Sequence, residues 1–208
     1  MIVVVGGTGR LGQELVRLFK KDKKTVASIA RGQNEEADHN ILCNLSDGRE
    51  VESAARELEA IGEPLEAIVN AAGFYHSAPL GKITDEEAQL NFAVHVKAPM
   101  LLISNLIERI KKDGTDIVNV SSIATINGST DAPAYGASKW ALRGFSSDLR
   151  KTLKDYPSRV ITFYPAAFDP EDKNQMNTGD VAGLIKHVLG LPKGMEASEI
   201  ILDHKSNR

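Results

Sequence analysis

Residues 2–12 read Ile-Val-Val-Val-Gly-Gly-Thr-Gly-Arg-Leu-Gly: four apolar residues that run straight into a loop with glycines at 6, 9 and 12. An unbroken apolar run of this length is the pattern of a strand buried on both faces. Leu11, Leu15, Leu18 and Phe19 follow at helical spacing, so the loop opens a helix. N–H groups left unpaired at a helix start, together with the helix dipole, favour the negative charge of a pyrophosphate. Glycine is needed where a Cβ would block that close approach. Glycines spaced in this way carry little weight alone, but between a strand and a helix they predict a dinucleotide loop made of Gly6, Thr8, Gly9, Arg10, Leu11 and Gly12.

Outward from this loop, short apolar runs alternate with helical periods. Strands are expected at 2–5, 25–30, 41–42, 67–70, 116–121, 159–164 and 199–202. Helices are expected from Leu11, over 51–61 up to Gly62 and Pro64, over about 84–112, over 134–154 and over 180–189. Thr84 and Glu87 form a capping box for the third of these. The alternation predicts an α/β fold: a Rossmann-like doubly wound parallel sheet of about seven strands, with helices on both faces, in a single domain spanning 1–208. Ligands of such sheets sit beyond the carboxyl ends of the strands, so chemistry is expected just after strands one, four, five and six.

Composition narrows the class. The chain has 208 residues, 25 Lys+Arg against 28 Asp+Glu and a net charge of −3, which gives no basic excess to attract nucleic acid or an anionic membrane. One cysteine, Cys43, excludes a disulfide scaffold and a cysteine-rich zinc site, and no metal is expected. The longest unbroken apolar stretches are a few residues, and the first ten residues lack a basic n-region, so a cytoplasmic setting is expected.

The end of strand two bears on which dinucleotide binds. NAD-type recognition asks for a carboxylate about 20 residues past the glycines. Ala30 stands 18 residues after Gly12, no Asp or Glu is there, and Arg31 follows. A guanidinium suits a 2′-phosphate, and Arg10 adds a second positive charge, so NADP(H) is the favoured cofactor with NAD as the alternative. After strand five come Ser121 and Ser122, and Tyr135 and Lys139 lie four apart on one face of the next helix. A tyrosine that exchanges protons near neutrality must be shifted from its ordinary value of about 10, which a neighbouring ammonium achieves by stabilising the phenolate.

These residues carry a resemblance. Gly6-Gly-Thr-Gly-Arg-Leu-Gly12, Asn70-Ala71-Ala72-Gly73, Ile117-Val-Asn-Val-Ser-Ser122 and Tyr135-Gly-Ala-Ser-Lys139, with Ser122 13 residues before Tyr135, resemble the short-chain dehydrogenase/reductase family over nearly the whole chain. The resemblance implies hydride transfer between a nicotinamide and a small carbonyl or alcohol. Tyr135 would be the acid/base. Lys139 would hold the nicotinamide ribose and lower the tyrosine pKa. Ser122 would orient the substrate oxygen. Asn70, Ala71, Ala72 and Gly73 would shape the cofactor cleft, with Asn44 and Leu45 on its adenine side and Pro165 and Phe168 on its nicotinamide side. It also implies a homodimer or homotetramer built through helices 85–112 and 134–154.

The chain departs from the family pattern in three places. His95 stands where the family carries an Asn that holds a water in a proton relay; an imidazole can hold a water too, or pack as a neutral core histidine, with Asn91 a second candidate for the relay. The glycine spacing is nearer that of the extended branch, whose epimerases and dehydratases usually add a C-terminal substrate region; about six residues follow the last strand here. Pro170 stands where a cofactor-binding Thr is common, and the short 169–178 stretch leads us to expect an open substrate cleft. A non-catalytic nucleotide-binding regulatory module is therefore the alternative. Plainer readings are expected for His76 (loop surface), Trp140 (core or interface), Lys20–Lys24 (helix end) and Cys43 (small buried hydrophobe).

Overall fold

The computed structural model describes residues 1–168 and 175–203. Seven parallel strands form one sheet: β1 (Ile2–Val5), β2 (Val26–Ala30), β3 (His39–Leu42), β4 (Ala67–Asn70), β5 (Asp116–Val120), β6 (Val160–Pro165) and β7 (Glu199–Leu202). Their order is β3-β2-β1-β4-β5-β6-β7, so the chain runs outward one way from β1 and then returns to build the other half. That reversal, between β1 and β4, opens a crevice above their carboxyl ends. The connecting helices are α1 (Arg10–Lys21), α2 (Gly48–Ile61), α3 (Asp85–Phe92), α4 (Ala98–Asp113), α5 (Ala124–Asn127), α6 (Pro133–Thr152) and α7 (Thr178–Leu189).

The two-residue period of β1 sends its side chains into two cores. Val3 and Val5 join Ile29, Ile68, Ile117, Leu102 and Leu106 beneath α2, α4 and α6. Ile2 and Val4 join Leu15, Phe19, Val69, Ile161 and Ile185 beneath α1 and α7. Both faces of the central strands are therefore dry, which is why these strands read as unbroken apolar runs.

Local signals explain several boundaries. α2 stops at Gly62, whose left-handed φ of 74° only glycine adopts freely. The Thr84 hydroxyl caps α3 by accepting from the Glu87 amide. The long helical stretch expected over 84–112 is interrupted: α3 and α4 are joined by a π-helical turn, Ala93–Lys97, whose wider winding accommodates one residue more than an α-turn would. The run Asp85–Asp113 is also long and apolar enough, by length and composition, to cross a membrane. Here the apolar residues Leu102, Ile103, Leu106 and Ile110 pack against the sheet instead. The one-turn α5 was not anticipated.

Candidate active site

The glycine loop follows β1 as expected, and its glycines do different things. A Cβ on Gly6, whose φ is +85°, would come within 2.7 Å of the Ala72 backbone; one on Gly12 would lie 2.0 Å from the Gly6 carbonyl oxygen. These two residues let β1, α1 and the β4 loop close up. Gly9 is the N-cap of α1, where no side chain caps the helix and the first turn has no acid. By contrast Asp47, Thr84 and Asn177 cap α2, α3 and α7 with their side chains. An uncapped helix start at the edge of a cleft suits an anion.

That cleft is open, about 370 Å³ in volume, and follows the strand ends. It brings together Gly6, Thr8 and Gly9 with Arg31, Asn44, Leu45, Ala71, Ala72 and Gly73, all named from sequence, and adds Ala30, Cys43, Phe74, Leu90 and Val94. Arg10, Leu11, Gly12, Asn70, Pro165 and Phe168 are not in its wall. Leu11 is buried in the core under α1. The Asn70 amide donates to the Asn119 side chain (2.7 Å), which donates to Ser146 (2.9 Å), so this buried chain ties β4 and β5 to α6. Asn119 and Ser146 were missed, because nothing in a strand Asn and a helix Ser marks them as partners. Pro165 offers its carbonyl to the Ile123 amide. Phe168 packs on the core beneath α1 and α7. Pro170 and most of the 169–178 stretch lie outside the described residues.

Gly73 joins the cleft to the catalytic cluster. A Cβ there would be 3.4 Å from both the Lys139 Nζ and the His95 Nε2. Lys139 is wholly buried and donates to the Val120 carbonyl at 3.0 Å; burial lowers its pKa to about 8. Its Nζ lies 5.7 Å from the centre of the Tyr135 ring. Burial raises the Tyr135 pKa above 10, while the Ser122 hydroxyl beside it acts in the opposite sense. Tyr135 is therefore a protonated phenol at neutral pH; in the protein alone, the lowering expected from Lys139 does not outweigh desolvation. Ser122 is the second residue of the loop after β5 and accepts from the Ala124 amide.

His95 sits in the π-helical turn and is buried. Its Nε2 accepts from the Phe74 amide at 3.2 Å, and its Nδ1 lies 2.9 Å from the Ser138 oxygen, whose own proton goes to the Tyr135 carbonyl. This network assigns a neutral ring with the proton on Nδ1. Burial, with Lys139 nearby, holds the His95 pKa down at about 2. Both nitrogens are engaged, which favours the packed, neutral histidine over the water-holding relay. Asn91 turns back to the Glu87 carbonyl. Over the phenol, Tyr75 meets Tyr135 edge-on with ring centres 5.4 Å apart, and its hydroxyl donates to Asp131.

The remaining residues keep mostly plain roles. His76 is exposed, and Lys20 and Lys24 pair with Asp38 and Glu66. Cys43 is buried, with its thiol pushed up to about 11. Trp140, expected in the core or at an interface, is 52% exposed beneath the Arg143 guanidinium, which removes the core reading alone.

Comparison with known proteins agrees with the fold. The family model for short chain dehydrogenases matches residues 1–180. A 3-oxoacyl-[acyl-carrier-protein] reductase of Rattus norvegicus is 28% identical over 171 residues, covering 78% of this chain and 72% of the reductase. Among solved structures, an alcohol dehydrogenase from Thermococcus sibiricus complexed with 5-hydroxy-NADP superposes with a TM-score of 0.90 at 18% identity, over 100% of this chain and 97% of that one. An oxidoreductase from Brucella ovis with a partially ordered NAD superposes at 0.83 with 25% identity, over 97% and 98%.

Proposed function

This chain belongs to the short-chain dehydrogenase/reductase family and is an NAD(P)-dependent oxidoreductase; on that footing we propose that it prefers NADP(H) and reduces a small carbonyl compound at a Ser122–Tyr135–Lys139 site. The observation that carries this reading is the convergence at Gly73, where the cleft that starts at the uncapped N-terminus of α1 meets the buried Lys139. Arg31 in the wall at the adenine end, with no carboxylate among the described residues that line the cleft, supports the 2′-phosphate preference.

A bound nicotinamide would supply the hydride. The residues handle the rest. The α1 N-terminus would hold the pyrophosphate, and Lys139 would hold the ribose hydroxyls through its ammonium. Ser122 donates to the substrate oxygen, and Tyr135, protonated at neutral pH, donates its proton to that oxygen as charge develops there. His95 is a positioning residue: through Ser138 it holds the Tyr135 turn of α6 against Phe74 at the cleft. Exposed Phe92, Met100 and Trp140 on α3, α4 and α6 support self-association through these helices.

A panel of carbonyls and alcohols run with NADPH and NADH tests the reading. Turnover of some carbonyl by the wild type, lost in Tyr135→Phe with cofactor affinity kept, is the expected result. Unchanged turnover in that variant removes the proton-transfer role. Uniform inactivity with tight NADPH binding points to the regulatory module instead.

A further inference from the structure

Between β2 and β3 the chain passes through Arg31, Gly32 and Gln33, all exposed, before it submerges at Asn34, which is only 9% exposed. No hydrogen bond or ion pair among the described residues holds Arg31, Gly32 or Gln33. Asn34, by contrast, has every polar group engaged. Its amide N–H donates to the Asn40 Oδ1 (2.7 Å), and its carbonyl accepts from the Asn40 Nδ2 (3.1 Å) and the Ala37 amide (3.1 Å). Its Oδ1 accepts from the Glu36 amide (3.0 Å), and its Nδ2 donates to the Gly7 carbonyl of the glycine loop (2.7 Å).

We propose that Asn34 is a specificity-determining positioning residue, which moors the Arg31–Gln33 arch to the phosphate loop and so fixes the Arg31 guanidinium over the ribose 2′ position. This rests on the NADP(H) reading above and names the residue that makes Arg31 selective. A guanidinium on a loose arch must give up its freedom when it grips a phosphate, and mooring removes much of that entropic cost in advance.

The two sides of the mooring differ in what else supports them. The glycine loop has its own bonds: Gly6 to the Ile29 carbonyl (2.7 Å), Gly9 to the Gly6 carbonyl (2.9 Å) and Gln13 to the Gly9 carbonyl (2.8 Å). The arch has only its ends. Cutting the Asn34 bond therefore frees the arch and leaves the pyrophosphate seat in place. The adenine, pyrophosphate and nicotinamide are common to both cofactors, so a general loosening of the fold would weaken both alike. Loss of the mooring weakens only the one that carries the 2′-phosphate.

The experiment is titration of NADPH, NADH and 2′-AMP into the wild type and into Asn34→Ser, Asn40→Ala and Arg31→Ala, each first checked by thermal melt. Asn34→Ser keeps an oxygen for the Glu36 amide but cannot reach Gly7. It is expected to weaken NADPH and 2′-AMP about ten-fold and NADH less than about two-fold. Asn40→Ala leaves the Gly7 bond intact and removes the outer support of Asn34, so a smaller loss of the same selective kind is expected from it; it also serves should Asn34→Ser fail to fold. Equal losses for NADPH and NADH, or no loss in either variant, overturn the assignment. If Arg31→Ala abolishes the preference while both asparagine variants keep it, the inference fails and the NADP(H) reading stands. If the wild type binds both cofactors equally and Arg31→Ala changes neither, both fall.

Discussion

The His95 Nδ1 lies 2.9 Å from the Ser138 hydroxyl, and that hydroxyl donates to the Tyr135 carbonyl 2.7 Å away. An imidazole from a turn between two helices is thereby coupled to the backbone of the tyrosine that meets the substrate. Its other nitrogen receives the Phe74 amide at the cleft wall, so one neutral ring braces the two halves of the site against each other.

His95→Ala should therefore lower kcat by more than it raises KM. It should also cost about 1 kcal/mol of stability, because the part-buried Phe74 amide loses its acceptor. Nitrogen NMR of the wild-type ring should show the Nδ1–H form unchanged down to pH 5, with no acid limb near pH 6.5 in the rate profile. A faster His95→Asn enzyme, or a ring that titrates near 6.5, would refute the brace.

The phenol sets a direction. The Tyr135 pKa lies above 10, so the proton that carbonyl reduction consumes is present at neutral pH and is lost only as pH rises through that raised value. Alcohol oxidation needs the phenolate and should climb over the same range. Measured kcat in both directions at saturating cofactor should show these opposite trends; a reduction rate that falls between pH 6 and 8 contradicts them.

Lys139 is poised at the expense of stability. Its pKa is about 8 in the folded chain against an ordinary 10.5, so the unfolded chain holds more protons between these values. The burden of an enclosed ammonium is full below pH 8 and fades as pH rises toward 10.5, so stability should increase over that window. Lys139→Met should remove this slope and raise stability at pH 7 by roughly 1–3 kcal/mol, less whatever the orphaned Val120 carbonyl takes back, while abolishing turnover. Thermal melts at pH 7 and pH 10 check the sign, and a Lys139→Met chain that melts lower at pH 7 would contradict it.

Two glycine variants separate architecture from ligand. Gly12→Ala drives a methyl into the Gly6 carbonyl and should cost about 1–3 kcal/mol or more, visible as a lower Tm. At Gly9 a Cβ would stand 3.3 Å from that oxygen, a tight contact that a small shift relieves, so Gly9→Ala should lose less Tm than Gly12→Ala while losing cofactor affinity. Identical melting losses in the two would refute the division.

Much of this could be read in advance because the signals were local. β4 occupies the stretch its apolar run marks, since Gly62 and Pro64 end the preceding helix and Ala71 opens the next loop. The Ser122, Tyr135 and Lys139 spacings bear on a single strand end and helix, so they survive folding unchanged. What stayed hidden was pairing across elements. Asn34 looked like any polar loop residue until Gly7 and Asn40 were placed beside it. Phe168 was assigned to the nicotinamide side from the family resemblance, and its half-buried ring packs against the core beneath α1 and α7. The π-helical turn was hidden for another reason: one surplus residue inside a long apolar run leaves the hydrophobic pattern readable as a continuous helix.

That surplus residue has a lasting effect. Each residue advances a helix by about 100°. The wider π-winding carries five residues through about the rotation that four make in an α-helix, so α3 and α4 keep a common phase and the Leu102–Leu106 seam stays on the sheet. The turn thus absorbs its surplus residue locally, in the stretch that carries His95. A one-residue deletion there would leave the scaffold standing as a plain helix and take the imidazole off Phe74 and Ser138, so the bulge belongs to the site and not to the fold.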